Sequence, residues 1–161
     1  MKIILASKSG VRKKILEDNN ILCEVVPSNI DEDQVKDSLL LEGASPLIIS
    51  KNLAEMKSNK ISLKYPDKLV LGADSVISLS NELINKPNSR EEAFESLKKL
   101  NGSSHHLISS VCISKNGSMI WNHSEKSELI MKNLSDRELI DYLSKIKTDI
   151  LLAYGVYQIE A

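Results

Sequence analysis

The residues that first suggest chemistry lie in Ala6–Leu16 (ASKSGVRKKIL), where Lys8, Arg12, Lys13 and Lys14 crowd the expected start of a helix. The helix dipole already makes that end positive, so cations there are locally unfavourable. They make sense around an anion. Ser7 and Ser9 offer hydroxyls and backbone N–H groups, and Gly10 lets the backbone approach a ligand closely. The Arg12 fork can bind phosphate oxygens in pairs, with Lys13 in support. Lys8 and Lys14 read equally well as solvated surface charge.

Asp74 is the second candidate. It follows the apolar run L-V-L-G-A, at what the pattern suggests is a sheet end, where α/β proteins commonly bind ligands. A turn-forming Asp is the alternative. Asp31, Glu32 and Asp33 form an acidic loop, either solvated or metal-binding. Lys57 sits at the edge of an apolar helical stripe, and Lys86 precedes Pro87 in a loop. Phosphate-binding cations together with carboxylates describe a Mg²⁺-dependent phosphoryl site, because Mg²⁺ takes a few carboxylates plus substrate phosphates. His105, His106 and His123 have no metal-ligand spacing with one another or with cysteine. Trp121, the single Trp, reads as packing.

The elements that must hold these residues alternate at first and then change. Lys2–Ala6 predicts a buried strand, Ser7–Gly10 a polar turn, and Val11, Ile15 and Leu16 a helix ended by Asn19-Asn20. Leu22–Val26 predicts a second strand running into Pro27. Ser45-Pro46 predicts a capped helix with Ile49, Leu53, Met56 and Leu63 as its stripe. The most strand-like run, KLVLGADSVISL, is interrupted at Gly72–Ser75. Ser89 with Glu92 and Ser135 with Glu138 are spaced as capping boxes opening two further helices. Between these, residues 106–131 predict a hairpin turned at Lys115-Asn116-Gly117. The expected class is α/β with a mixed sheet.

At 161 residues the chain is expected to form one domain, 1–161, with the 42% hydrophobic and 27% charged content of an ordinary globular protein. The 21 basic and 22 acidic residues leave a formal net charge of −1, so nothing global draws the chain to nucleic acid or an anionic membrane. No apolar run is long enough to span a bilayer, and no charged segment leads into an apolar one at the start. Cys23 and Cys112 stand among apolar neighbours without metal or redox spacing, as two buried thiols in a reducing compartment would. The expected location is cytoplasmic.

Taken together and in order, these segments resemble the Maf family of nucleoside triphosphate pyrophosphatases. ILASKSGVRKKIL is similar to the family's LAS-x-S-P-R-R-x-x-L-L loop, PSNIDED to its P-S-x-I-D-E segment, and LAEMKSNKI to its L-A-x-x-K-A-x-A-V helix. VLGADSVISLSNELINKP resembles V-L-G-A-D-T-V-V-x-x-x-G-x-x-x-G-K-P, and REEAFESLKKLNGSSHHLISSVCI resembles E-E-A-x-x-x-L-x-x-L-S-G-x-x-H-x-V-x-T-G-V. The resemblance implies a Maf/ITPase-like mixed sheet with flanking helices and a central nucleotide-binding cleft. It also implies hydrolysis between the α and β phosphates, giving a nucleoside monophosphate and pyrophosphate with a divalent metal, Mg or Mn. Asp74 falls on the family's proton acceptor, and Arg12, Lys57 and Lys86 on its basic site positions. Ser7 and Ser9 fall on the phosphate loop, and Asp31 and Glu32 on the acidic loop that joins Asp74 in metal binding. A homodimer is implied as well.

The departures are specific. The S-P-R-R loop reads Ser9-Gly10-Val11-Arg12, and Glu160 occupies the Gln position of the G-A-Y-G-I-Q-G segment, with Ala153 in place of a Lys. Val11 and Glu160 lean toward the branch that prefers 7-methyl-GTP, while Ser75 stands where that branch tends to carry Gln. The family's further strand, G-L-P-L motif and last helix are expected to be missing here. A nucleotide-binding protein without turnover, and a regulator of septum formation, are the competing readings.

Overall fold

The computed structural model describes residues 1–157. Among them are six helices and six strands, β1 (Ile3–Leu5), β2 (Cys23–Val25), β3 (Val70–Leu79), β4 (Glu82–Ile84), β5 (Ser104–Lys115) and β6 (Ser118–Ile130), in one sheet of order β2-β1-β3-β5-β6 with β4 paired to β3. β1 runs parallel to β2 and to β3, and β4 is antiparallel to β3. The sheet is therefore mixed, as expected. The chain forms two compact units, one of Met1–Ser75 with Ile108–Lys126, the other of Val76–Leu107 with the residues from Ser127 onward.

In the first unit, Ile4, Ala6, Ile61 and Val70 form a buried cluster. α1 (Gly10–Asp18) has no buried side chain; the Ser9 hydroxyl accepts from Arg12 N–H at its start. α3 (Pro46–Ser62) is capped by Ser45 with Pro46 in its first turn, as the sequence predicts. It buries Ile49, Leu53, Ala54, Lys57, Ser58 and Ile61 along one side. Gly72 explains how closely α3 lies on β3. A Cβ at residue 72 would stand 2.2 Å from the Ala54 carbonyl oxygen and 2.8 Å from the Ser58 nitrogen, so only glycine fits.

The predicted hairpin is β5 (Ser104–Lys115) and β6 (Ser118–Ile130). Asn116 and Gly117 carry the positive φ values, 52° and 83°, that a tight turn needs. Gly117 N–H donates to Ser62 Oγ at 2.8 Å, and Ser58 and Ser114 share a hydroxyl hydrogen bond at 2.7 Å, which ties the hairpin to α3.

The second unit is organised around Ala93, Leu97, Leu100, Leu139, Leu143, Leu151 and Val156. These come mainly from α4 (Arg90–Leu100), α5 (Asp136–Ser144) and α6 (Thr148–Tyr154). Ser135 and Glu138 complete a capping box. At α4 the predicted box is half made: Ser89 Oγ accepts from Glu92 N–H, whereas the Glu92 carboxylate accepts from Asn88 N–H.

Three expectations change. The acidic stretch is no loop: Asp31 caps α2 (Glu32–Leu41), and Glu32 and Asp33 occupy its first turn, where the dipole favours them. β3 is not interrupted at Gly72–Ser75 but runs through it, so Asp74 lies within a strand rather than at a sheet end. Trp121 is 49% exposed on β6, stacked with His123, and is not core packing. Of the two free thiols, Cys112 is buried and Cys23 half-buried.

Candidate functional site

Asp74 and Lys57 form the centre of the site, each only 5% exposed. β3 places the carboxylate and α3 the ammonium, at the level that Gly72 permits. Lys57 Nζ lies 3.0 Å from Asp74 Oδ1 and 2.8 Å from Glu32 Oε1, so one cation is held between carboxylates of β3 and α2. The backbone is fixed on both sides of the strand residue: Ser50 Oγ donates to the Asp74 carbonyl at 3.2 Å, and Lys57 Nζ to the Ala73 carbonyl at 3.4 Å.

The same Ala73 carbonyl links this cluster to the serine loop. Arg12 Nη1 donates to it at 3.0 Å and to Ser7 Oγ at 3.1 Å, while Ser9 N–H donates to Ser7 Oγ at 3.2 Å. Ser7, Ser9, Arg12, Lys57, Glu32 and Asp74 are thereby joined in one polar network. Lys13 stands apart on α1, exposed and paired with Glu17 at 3.5 Å. Val11 is 39% exposed beside Arg12. Ser75 is exposed, and its hydroxyl meets that of Ser109 at 3.0 Å.

Asp31 has no direct part in the network. Its Oδ1 accepts from Gln34 N–H at 3.1 Å and caps α2, which sets Glu32 at the helix start. Lys86 belongs to the second unit, exposed in the segment between β4 and α4 and followed by buried Pro87. Glu160 lies outside the described residues.

The electrostatics of Asp74 are unusual for a carboxylate with a cation 3.0 Å away. Burial raises its pKa above the ordinary value, outweighing the charge and hydrogen bond of Lys57, with Glu32 adding to the rise and Lys36 of α2 opposing it. Arg12 is shifted the other way: burial lowers its pKa, against the charges of Asp74 and Glu32. Asp74 Oδ2 is buried and has no hydrogen-bond partner among the described residues. A buried carboxylate oxygen without a partner is costly and marks a place where a ligand can supply what the fold withholds.

Sequence reasoning missed the Ala73 carbonyl, Ser50 and Lys36. Backbone carbonyls carry no residue signature, and Ser50 reads as any helical serine. Lys36 could have been found: it follows Glu32 by four residues, which is one helix face once α2 is recognised.

The sequence matches the Maf-like protein family over residues 2–161. The chain belongs to the Maf family. It is 64% identical over 159 residues to a protein of Pelagibacter ubique named nucleoside triphosphate pyrophosphatase, covering 99% of this chain and 82% of that one. It is 33% identical to a protein of Rhizobium etli named 7-methyl-GTP pyrophosphatase, covering 99% and 80%. Among solved structures, a HAM1 protein from Coxiella burnetii shares the fold with a TM-score of 0.50 at 14% identity, over 80% of this chain and 70% of that one. In this Maf protein the network around Asp74 is thus assembled on a fold shared well beyond detectable sequence likeness.

Proposed function

We propose that this Maf protein is a nucleoside triphosphate pyrophosphatase, hydrolysing the bond between the α and β phosphates to release a nucleoside monophosphate and pyrophosphate. The observation that carries the reading is Asp74: a buried carboxyl with a raised pKa and one unpartnered oxygen, joined through Ala73 and Lys57 to Arg12, Ser7 and Ser9. The names of the 64% and 33% identical relatives agree with it.

Each residue then has a task. Asp74 accepts the proton of the attacking water, and its raised pKa brings it nearer the operating range of a general base. Lys57 holds Asp74 in place and faces the charge that develops on the phosphoryl group. Arg12, the Ser7 and Ser9 hydroxyls and the N–H groups at the start of α1 bind phosphate oxygens, with Lys13 in support. Lys86 takes the basic role that the resemblance gives it.

The donor set fits a divalent cation. Asp74 Oδ2 lacks a partner, the Glu32 carboxylate joins it across Lys57, and both supply the hard oxygen ligands that Mg²⁺ or Mn²⁺ prefers. Such an ion would be held by Asp74 and Glu32, with substrate phosphates as further ligands, and Asp31 would contribute by capping α2 and setting Glu32 at its start. When bound, that ion would neutralise phosphate charge.

The preference for 7-methyl-GTP rests on Val11 and Glu160. A Glu accepts hydrogen bonds from a guanine N1–H and amine more strongly than a Gln oxygen does. Pyrophosphate release from a panel of nucleoside triphosphates, 7-methyl-GTP, dTTP and UTP among them, with and without Mg²⁺ or Mn²⁺, tests both levels. Release that disappears in Asp74→Asn is expected. Absence of release from every nucleotide overturns the enzyme, and a preference for dTTP or UTP overturns the branch. Size measurement by light scattering tests the homodimer that the resemblance implies.

A further inference from the structure

The four charged side chains at the centre of the network carry no spare positive charge of their own. Arg12 and Lys57 supply two positive charges and Asp74 and Glu32 two negative ones, so these four side chains are balanced before any phosphate arrives. Lys13, the supporting cation on α1, is exposed and shares its charge with Glu17 at 3.5 Å. A polyphosphate is attracted less by a cluster whose cations are matched by carboxylates than by one with a spare cation.

Lys36 changes that balance. It stands one turn beyond Glu32 on α2, so both side chains leave the same helix face, and Glu32 reaches Lys57 at 2.8 Å. Lys36 is half-buried and makes no hydrogen bond or ion pair with the described residues. Its charge is felt at Asp74. By contrast, the other lysines on this stretch of the network are engaged: Lys57 with two carboxylates, and Lys60, a turn further along α3, with the Asn29 carbonyl.

We propose that Lys36 is a phosphate-binding residue of this site, supplying the uncompensated positive charge that recognises the polyphosphate part of the nucleotide. The proposal rests on the nucleotide reading of the site and adds a residue to it. An ammonium on a flexible stem suits the task, because it can follow phosphate oxygens as a point charge without a fixed geometry. A cation that meets mainly the polyphosphate separates triphosphates from monophosphates rather than one base from another.

The test is calorimetric titration of wild-type protein, Lys36→Gln and Lys36→Arg with non-hydrolysable α,β-methylene GTP and α,β-methylene dTTP, and with GMP and dTMP, at low and high salt. Lys36→Gln is expected to weaken the triphosphate analogues about 10-fold, the value of one charge-assisted contact, and the monophosphates less than about 2-fold. It is also expected to flatten the salt dependence of triphosphate binding, while Lys36→Arg stays near wild type. Equal weakening of triphosphates and monophosphates, or unchanged triphosphate binding, overturns the role of Lys36. Wild-type protein that binds the analogues but releases no pyrophosphate from the parent nucleoside triphosphates overturns the proposed reaction and leaves this comparison decisive. A wild-type protein that binds no triphosphate overturns both.

Discussion

Lys57 and Arg90 are both cations drawn out of solvent, one in each unit, and they are satisfied differently. Arg90, at the start of α4, donates to the carbonyls of Leu143 and Ile146 and to Thr148 Oγ1, at the end of α5 and the start of α6. Leu143 belongs to the last turn of α5, the negative end of that helix, so Arg90 adds a hydrogen bond there and meets the dipole favourably. Lys57 is instead set between two carboxylates, one of which is so buried that its charged form is disfavoured and one of its oxygens has no partner. The first arrangement is finished without a ligand. The second is left with a cost that a bound group can relieve, which is how a site differs from a joint.

Four experiments test this contrast. The largest effect belongs to Asp74→Asn, expected to lower pyrophosphate release by on the order of 10²- to 10⁴-fold, the usual worth of a general base. Its stability carries a pH signature. Because the folded pKa is raised, ionising Asp74 destabilises the fold: the group's contribution is intact at low pH and lost as pH rises from the ordinary carboxylate value through the raised one. The melting temperature of Asp74→Asn relative to wild type should therefore climb over that window, the same window in which wild-type activity appears. A difference that stays flat with pH would show Asp74 to be unstrained.

Lys57→Met and Arg90→Leu form the direct comparison. Removing Lys57 leaves two carboxylates facing one another and is expected to cost about 3–5 kcal/mol of stability, with activity lost as well. Removing Arg90 is expected to cost about 2 kcal/mol in denaturant titration, with kcat/KM unchanged within about 3-fold. Loss of activity in Arg90→Leu would erase the distinction.

Gly72→Ala comes next. Its methyl meets backbone atoms of α3, so the helix must shift, at about 1–3 kcal/mol, and should carry Lys57 away from Asp74. A variant that is less stable but fully active would show that the approach of α3 to β3 serves packing alone. Ser9→Ala, which removes the cap of α1, is the smallest, about 1 kcal/mol. A larger fall in nucleotide affinity than in stability would assign Ser9 to phosphate rather than to the helix.

The strand–turn–helix opening, the capped α3, the hairpin at Asn116-Gly117 and the capping box at Ser135 are legible in the sequence because each depends on neighbours within a few residues. α2 was missed because its acidic first turn has the composition of a loop. The course of β3 through Gly72–Ser75 was missed because the glycine there answers to a helix distant in sequence. The candidate residues Ser7, Ser9, Arg12, Glu32, Lys57 and Asp74 were all legible by type and order, whereas Lys36 was hidden by the reading of α2 as a loop and the Ala73 carbonyl by having no residue signature.

By itself, then, the sequence determined which groups are available: hydroxyls, a guanidinium and carboxylates in a fixed order, on elements specified by local caps and turns. Tertiary structure decided their electrical state. Only the packing of α3 on β3 buries Asp74, raises its pKa, leaves Oδ2 unpartnered and sets Lys57 between Asp74 and Glu32. Desolvation and Coulomb energy depend on distance and exclusion of water, and residues 42 positions apart such as Glu32 and Asp74 acquire both only through the fold.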